Sequence, residues 1–147
     1  MAFKEKALRR LDEKMSKKGI PYALGGDFLL QALSLAEESH LLSLTVPFEK
    51  RGDADAVMRR LGMGHVDCDT PECFLGTYHF DGAEFQLLAL PEHRLPTPDV
   101  WKKVDIPGAS VCVMHPSAWC HVCRTMGWEV PELLLPFYMS QPLSHTP

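Results

Sequence analysis

Apolar side chains at Phe3, Ala7, Leu8, Leu11 and Met15 recur at helical spacing with Lys and Arg between them, which predicts an amphipathic first helix over residues 2–18. Gly19 follows as its stop. Ile20-Pro21-Tyr22-Ala23-Leu24 reads as a short buried strand, turned by Gly25-Gly26. From Asp27 to about Ala36 the chain is apolar almost all round, so a central, buried helix is expected there. Leu41 to Val46 predicts a second strand, closed by Pro47. Asp53 suits the N-cap of a helix through Leu61, with Arg59 and Arg60 near its C-terminal dipole and Gly62 and Gly64 at its exit. Cys73–Phe80 and Ala83–Leu90 flank Asp81-Gly82, a strong hairpin signal. The Pro-rich segment 91–98 reads as an extended connection, and Val100–Ile106 with Ala109–Met114 forms a further hairpin about Pro107-Gly108. Pro116 opens a helix that runs to Met126 and stops at Gly127. After Pro131 only a short turn at Leu133-Leu134-Leu135 is expected, and residues 141–147 read as a flexible tail.

This order of elements specifies an α/β (α+β) domain over residues 1–140, a mixed sheet covered by helices. A chain of 147 residues with 46% apolar and 23% charged residues has enough core for one domain and is not a disordered composition. No apolar run reaches the roughly 20 residues that span a bilayer, and the first residues turn charged at once, so no membrane association and a cytoplasmic location are expected. The first 18 residues hold seven of the 15 basic side chains, which leaves the rest of the chain acidic. That balance argues against general nucleic-acid binding, since such binding rests on phosphate neutralisation. The basic helix reads as a solvated face or a local contact patch.

Tyr22-Ala23-Leu24-Gly25-Gly26-Asp27-Phe28-Leu29-Leu30 resembles the opening motif of the minimal nucleotidyltransferase fold, in particular its antibiotic-modifying and toxin branches. In that family a strand ends in Gly-Gly or Gly-Ser and runs straight into a helix, which lets a triphosphate approach backbone N–H groups closely. The resemblance covers residues 1–127 in element order, including the His115-Pro116 helix. It implies a strand bearing two acidic residues two positions apart that hold Mg²⁺, and a third acidic residue on a later strand.

The chain departs from that pattern where the chemistry lies. Ser43 and Thr45 stand at the expected acidic pair, Gln86 stands at the third position with Glu84 two residues before it, and Asp27 adds negative charge beside the turn. Hydroxyls and an amide are poor Mg²⁺ ligands, so Mg²⁺ is not expected to be well bound with a nucleotide. Where the family often carries a Lys on the late helix, this chain has Cys123 with Arg124 beside it. The candidate nucleotide-binding set is therefore Gly25, Gly26, Ser43, Thr45, Glu84, Gln86 and Arg124, with no catalytic or metal-binding residue assigned. The resemblance implies a catalytically impaired nucleotidyltransferase-fold protein that binds a nucleotide or a protein partner; the basic helix and the segment Leu133 to Tyr138 are the candidate contact surfaces.

Three alternatives stand beside that reading. An active transferase would use Glu84 with Asp67 or Asp69 of the acidic pair Asp67-Cys68-Asp69, which itself reads as a loop or strand edge. A zinc-stabilised interaction module would draw on Cys120 and Cys123, spaced C-x-x-C, and on Cys68 and Cys73. An unrelated α/β domain would use Gly25-Gly26 only as a tight turn. An odd count of five cysteines gives no disulfide framework.

Overall fold

The computed structural model describes residues 2–35, 41–94 and 100–136. Its elements run α1 (Ala2–Lys17), β1 (Ala23–Gly25), α2 (Gly26–Ala32), β2 (Leu41–Thr45), α3 (Arg51–Leu61), β3 (Met63–Thr70), β4 (Cys73–Phe80), β5 (Ala83–Ala89), β6 (Val100–Ile106), β7 (Ala109–Met114) and α4 (Pro116–Met126), with short 3₁₀ turns at Phe48–Lys50 and Glu132–Leu134. The strands form one mixed sheet in the order β3-β4-β5-β2-β1-β7-β6. β2 is parallel to β5 and β1 is parallel to β7, whereas every other neighbouring pair is antiparallel.

Strand alternation divides the sheet into two faces. Leu42 and Leu44 of β2 lie in register with Phe85 and Leu87 of β5, and all four are buried. They meet α1 and α3, which pack together and against the sheet through Leu8, Leu11 and Met15 of α1 and Ala54, Val57 and Met58 of α3. Phe85 also stacks on Phe80, with ring centroids 4.4 Å apart and planes inclined by 4°. The opposite face carries Ser43, Thr45, Glu84 and Gln86, and α4 lies across it above β1. Farther out, over β3, β4 and β5, that face is open to water at His65, His79 and Glu84.

Several boundaries differ from those read in the sequence. β3 had no counterpart in the sequence reading. It is an edge strand with alternating exposure, and it contains Asp67-Cys68-Asp69 beside a register shift between Val66 and Cys68. α2 ends at Ala32 because Ser34 takes a left-handed backbone with φ of 61°, and Leu35 is 36% exposed. α2 is thus short, with Phe28 and Leu29 its buried residues. α3 begins at Arg51 behind the 3₁₀ turn, so Asp53 sits in its first turn and Lys50 occupies the N-cap. The hairpins about Asp81-Gly82 and Pro107-Gly108 match the sequence reading, as does α4, which His115 caps by accepting from the Ser117 N–H at 3.1 Å. Ala36, residues 95–98 of the Pro-rich connection, Tyr138 and the tail lie outside the described residues. Among the described residues no helix is long and apolar enough to cross a membrane.

Candidate functional site

Three adjacent strands build the floor of a cleft at the start of α2. Register sets Gly25 beside Ser43 and Ser43 beside Gln86. The Ser43 hydroxyl donates to the Gln86 amide oxygen, with Oγ and Oε1 3.1 Å apart. Gly26 then takes φ of +56°, a conformation glycine adopts at no steric cost, and this turns the chain directly from β1 into α2.

The wall above the turn is aromatic. The six-membered ring of Trp119 sits over Gly25 so closely that a Cβ there would lie 2.3 Å from Cε3 and 2.7 Å from Cδ2. Gly25 is therefore required by an indole. Trp128 packs beside Trp119, with centroids 6.2 Å apart and planes tilted by 45°. Together with Asp27, Cys123, Glu129 and the strand floor they line an open cleft of about 230 Å³. No Lys, Arg or His lines it among the described residues. The Asp27 carboxylate accepts from the Leu41 N–H at 3.2 Å, which ties the start of α2 to β2. Burial pushes the Cys123 thiol up to about 12, so it stays protonated and neutral near pH 7.

Of the candidate residues, the structure brings Gly26, Ser43 and Gln86 together in the cleft, with Gly25 beneath Trp119. Thr45 shares the face of Ser43 but lies outside the cleft lining, 1% exposed, and its hydroxyl has no partner among the described residues. A buried, unpaired hydroxyl is destabilising. Thr45→Val keeps the shape and removes that group, so it is expected to raise stability by about 1 kcal/mol, read as a higher urea midpoint at unchanged m-value.

Glu84 is exposed and sits 3.7 Å from His79 across the β4–β5 pair, outside the cleft. Arg124 is exposed on α4 and is likewise absent from the lining, where its neighbour Cys123 stands instead. Asp67 accepts from Thr77 Oγ1 at 2.7 Å and lies 2.9 Å from His65 Nε2 on the open part of the sheet. The acidic residues considered for an active transferase are therefore dispersed. The cysteines are also not gathered into a ligand set: Cys68 and Cys73 lie on the β3–β4 hairpin and Cys120 and Cys123 on α4. No group of three or more His, Cys, Asp or Glu among the described residues is placed to hold a metal. The basic helix is engaged locally, with Arg10 2.7 Å and Lys6 3.9 Å from Asp81 and Arg9 donating to the Pro107 carbonyl.

Trp119, Trp128 and Glu129 are the site residues that the sequence reading did not find. They carry no spacing motif, and only the packing of α4 and the chain after it onto the Gly25 turn brings them to the cleft.

No family model matches the sequence, and no curated protein matches it significantly. Solved structures do match. The crystal structure of ANT(2'')-Ia with adenylyl-2''-tobramycin superposes with a TM-score of 0.60 at 16% identity, covering 97% of this chain and 83% of that one. The fold is that of the nucleotidyltransferases. The solution structure of ANT(2'')-Ia, an antibiotic-resistance factor, agrees at a TM-score of 0.58 and 18% identity over 92% of this chain and 80% of that one. A Thermotoga maritima protein assigned as a nucleotidyltransferase gives a TM-score of 0.58 at 12% identity, covering 92% of each chain. At such identities the likeness concerns the nucleotidyltransferase fold alone, and the chemistry has to be argued from this chain's residues.

Proposed function

We propose that this chain is a nucleotidyltransferase-fold protein without nucleotidyl-transfer chemistry, acting by binding a ligand in the cleft beside the Gly25-Gly26 turn. The observation that carries this reading is the Ser43–Gln86 hydrogen bond, 3.1 Å long, at the centre of the cleft floor. By the resemblance these are positions where the fold keeps carboxylates. Mg²⁺ calls for hard, charged oxygen ligands, and phosphoryl transfer depends on electrostatic stabilisation of the transferring group. A hydroxyl and an amide that satisfy one another offer neither. The residues present do not fit the ion, and Glu84, exposed on the same face two residues before Gln86, lies outside the cleft lining.

The cleft remains a concave surface, about 230 Å³ with an aromatic wall and a polar floor. The test is transfer of radiolabel from each of the four ribonucleoside triphosphates, with Mg²⁺, to RNA, protein and small-molecule acceptors. The expected result is no transfer above a protein-free control. Transfer that is abolished in Glu84→Ala would overturn the reading in favour of an active enzyme with a displaced carboxylate. In parallel, Ser43→Asp combined with Gln86→Asp restores two carboxylates to the floor. Mg²⁺-dependent thermal stabilisation is expected in that variant and not in the parent protein.

A further inference from the structure

We infer that Cys68 and Cys73 form a reversible redox site, a thiol pair that a low-molecular-weight disulfide such as glutathione disulfide converts to a disulfide across the β3–β4 hairpin. The strand pairing puts them together. Alternation places Cys73, Leu75 and Thr77 on one face of β4, and register sets Thr70 opposite Cys73 and Cys68 opposite Leu75. Had pairing continued unbroken past Val66 and Gly76, Cys68 would have fallen opposite Phe74, on the other face. The extra residue, Asp67, absorbs one position and returns Cys68 to the face of Cys73. The Cys68 thiol donates to the Cys73 carbonyl oxygen, with Sγ and O 3.8 Å apart, and the two side chains are close enough to interact directly.

Both thiols are free. No third His, Cys, Asp or Glu among the described residues is placed with them to complete a metal site, whereas a disulfide needs no third group. Exposure sets the order of the chemistry. Cys68 is half-buried on an edge strand and Cys73 is 8% exposed, so Cys68 meets the reagent first. Its thiolate attacks one sulfur of the reagent; that S–S bond breaks, a mixed disulfide forms on Cys68 and the leaving thiolate takes up a proton. Cys73, deprotonated, then attacks the Cys68 sulfur and expels the second thiolate. Two protein thiols are oxidised to one disulfide, the reagent is reduced to two thiols, and the two protons lost by the protein end on them. Burial and the Cys68 side chain hold the Cys73 thiol above its ordinary range, against the pull of the Arg94 guanidinium, so closure quickens as pH rises. The segment closed by the bond includes Glu72, whose carbonyl accepts from Arg94 at 2.9 Å, and Arg94 also donates to the Thr125 carbonyl of α4 at 3.2 Å. The bond therefore forms beside the contact that ties this hairpin to α4. A loop this short constrains the unfolded chain less than a long one, and a partly exposed disulfide is readily reduced, which suits a reversible mark and not a structural staple.

The test incubates the full chain in glutathione buffers of increasing oxidised fraction, quenches with acid, alkylates the remaining thiols in urea and locates the labels by peptide mass spectrometry. Cys68 and Cys73 are expected to lose alkylation together and to regain it after dithiothreitol, while Cys112, Cys120 and Cys123 stay labelled. Cys73→Ser should trap glutathione on Cys68, and Cys68→Ser should leave Cys73 labelled, because that residue is buried. Glutathione held on Cys68 of the parent chain with Cys73 still free, or oxidation of Cys112 ahead of the pair, would overturn the inference. So would both thiols staying reduced in a buffer that oxidises the same chain unfolded in urea. Neither cysteine lines the cleft, so failure here leaves the proposed function standing, and nucleotidyl transfer by the parent chain would leave the thiol pair standing.

Discussion

Trp119→Ala is expected to lower the stability of the protein by about 3–5 kcal/mol, the usual cost of removing a large buried aromatic side chain. Trp119 is 5% exposed, covers Gly25 with its six-membered ring and packs against Trp128. Its loss leaves a cavity between α4 and β1 that the strand cannot fill, because the residue facing it has no side chain. Urea unfolding read by far-ultraviolet circular dichroism, with the m-value compared between variants, measures the effect. Trp119→Phe should recover part of it, since a phenyl ring still rests on Gly25. The complementary change, Gly25→Ala, is expected to cost about 1–3 kcal/mol by overpacking, and to cost much less in the Trp119→Ala background. Equal penalties in both backgrounds would show that the indole does not explain the glycine.

This pair separates what was legible in the sequence from what was not. Gly25-Gly26 between a buried strand and an apolar helix was visible, and the resemblance pointed to Ser43 and Gln86, which register sets side by side on the cleft floor. The meaning of Gly25 was not visible. A glycine that admits a phosphate and one that admits an indole look alike in one dimension, and Trp119 lies on the last helix, remote in the chain. Glu84 and Arg124 lie outside the cleft lining for a related reason. Both are near cleft residues in sequence, but Glu84 lies near the exposed start of β5 and Arg124 is exposed on α4, one residue past Cys123.

β3 was missed because an edge strand with one face in water shows little apolar alternation. Along Met63-Gly64-His65-Val66-Asp67 the apolar side chains are Met63 and Val66, three positions apart, which breaks the period of two that marks a strand. The register shift falls at Asp67, between Val66 and Cys68, and it re-phases the strand in a way that only its pairing with β4 reveals. The end of α2 was missed for the opposite reason. Leu33 and Leu35 continue the apolar run, and nothing before Ser34 announces the left-handed turn that ends the helix.

Tyr78→Ala is the second large effect expected, again about 3–5 kcal/mol, taking the loss as that of a buried phenylalanine-sized ring. Tyr78 is fully buried under α3, and its hydroxyl donates to Asp55 Oδ1 at 2.5 Å, so burial and the adjacent carboxylate both push its ionisation upward and keep it a donor. The ring lies flat along the sheet over two glycines. A Cβ on Gly64, its partner across β3, would fall 2.1 Å from Cδ2, and a Cβ on Gly76, two residues earlier, would fall 2.3 Å from the hydroxyl oxygen. Gly76→Ala must therefore displace the phenol and its bond to Asp55, at an expected cost of about 1–3 kcal/mol. In a double-mutant cycle, Gly76→Ala should be close to neutral once Tyr78 is Ala, giving a coupling energy comparable to the single-variant penalty. Additive penalties would mean that Gly76 is required by the backbone of β4 and not by the ring. Because β4 and β5 pair throughout their length, the same cycle measures how firmly Tyr78 holds the strand that presents Gln86 to the cleft.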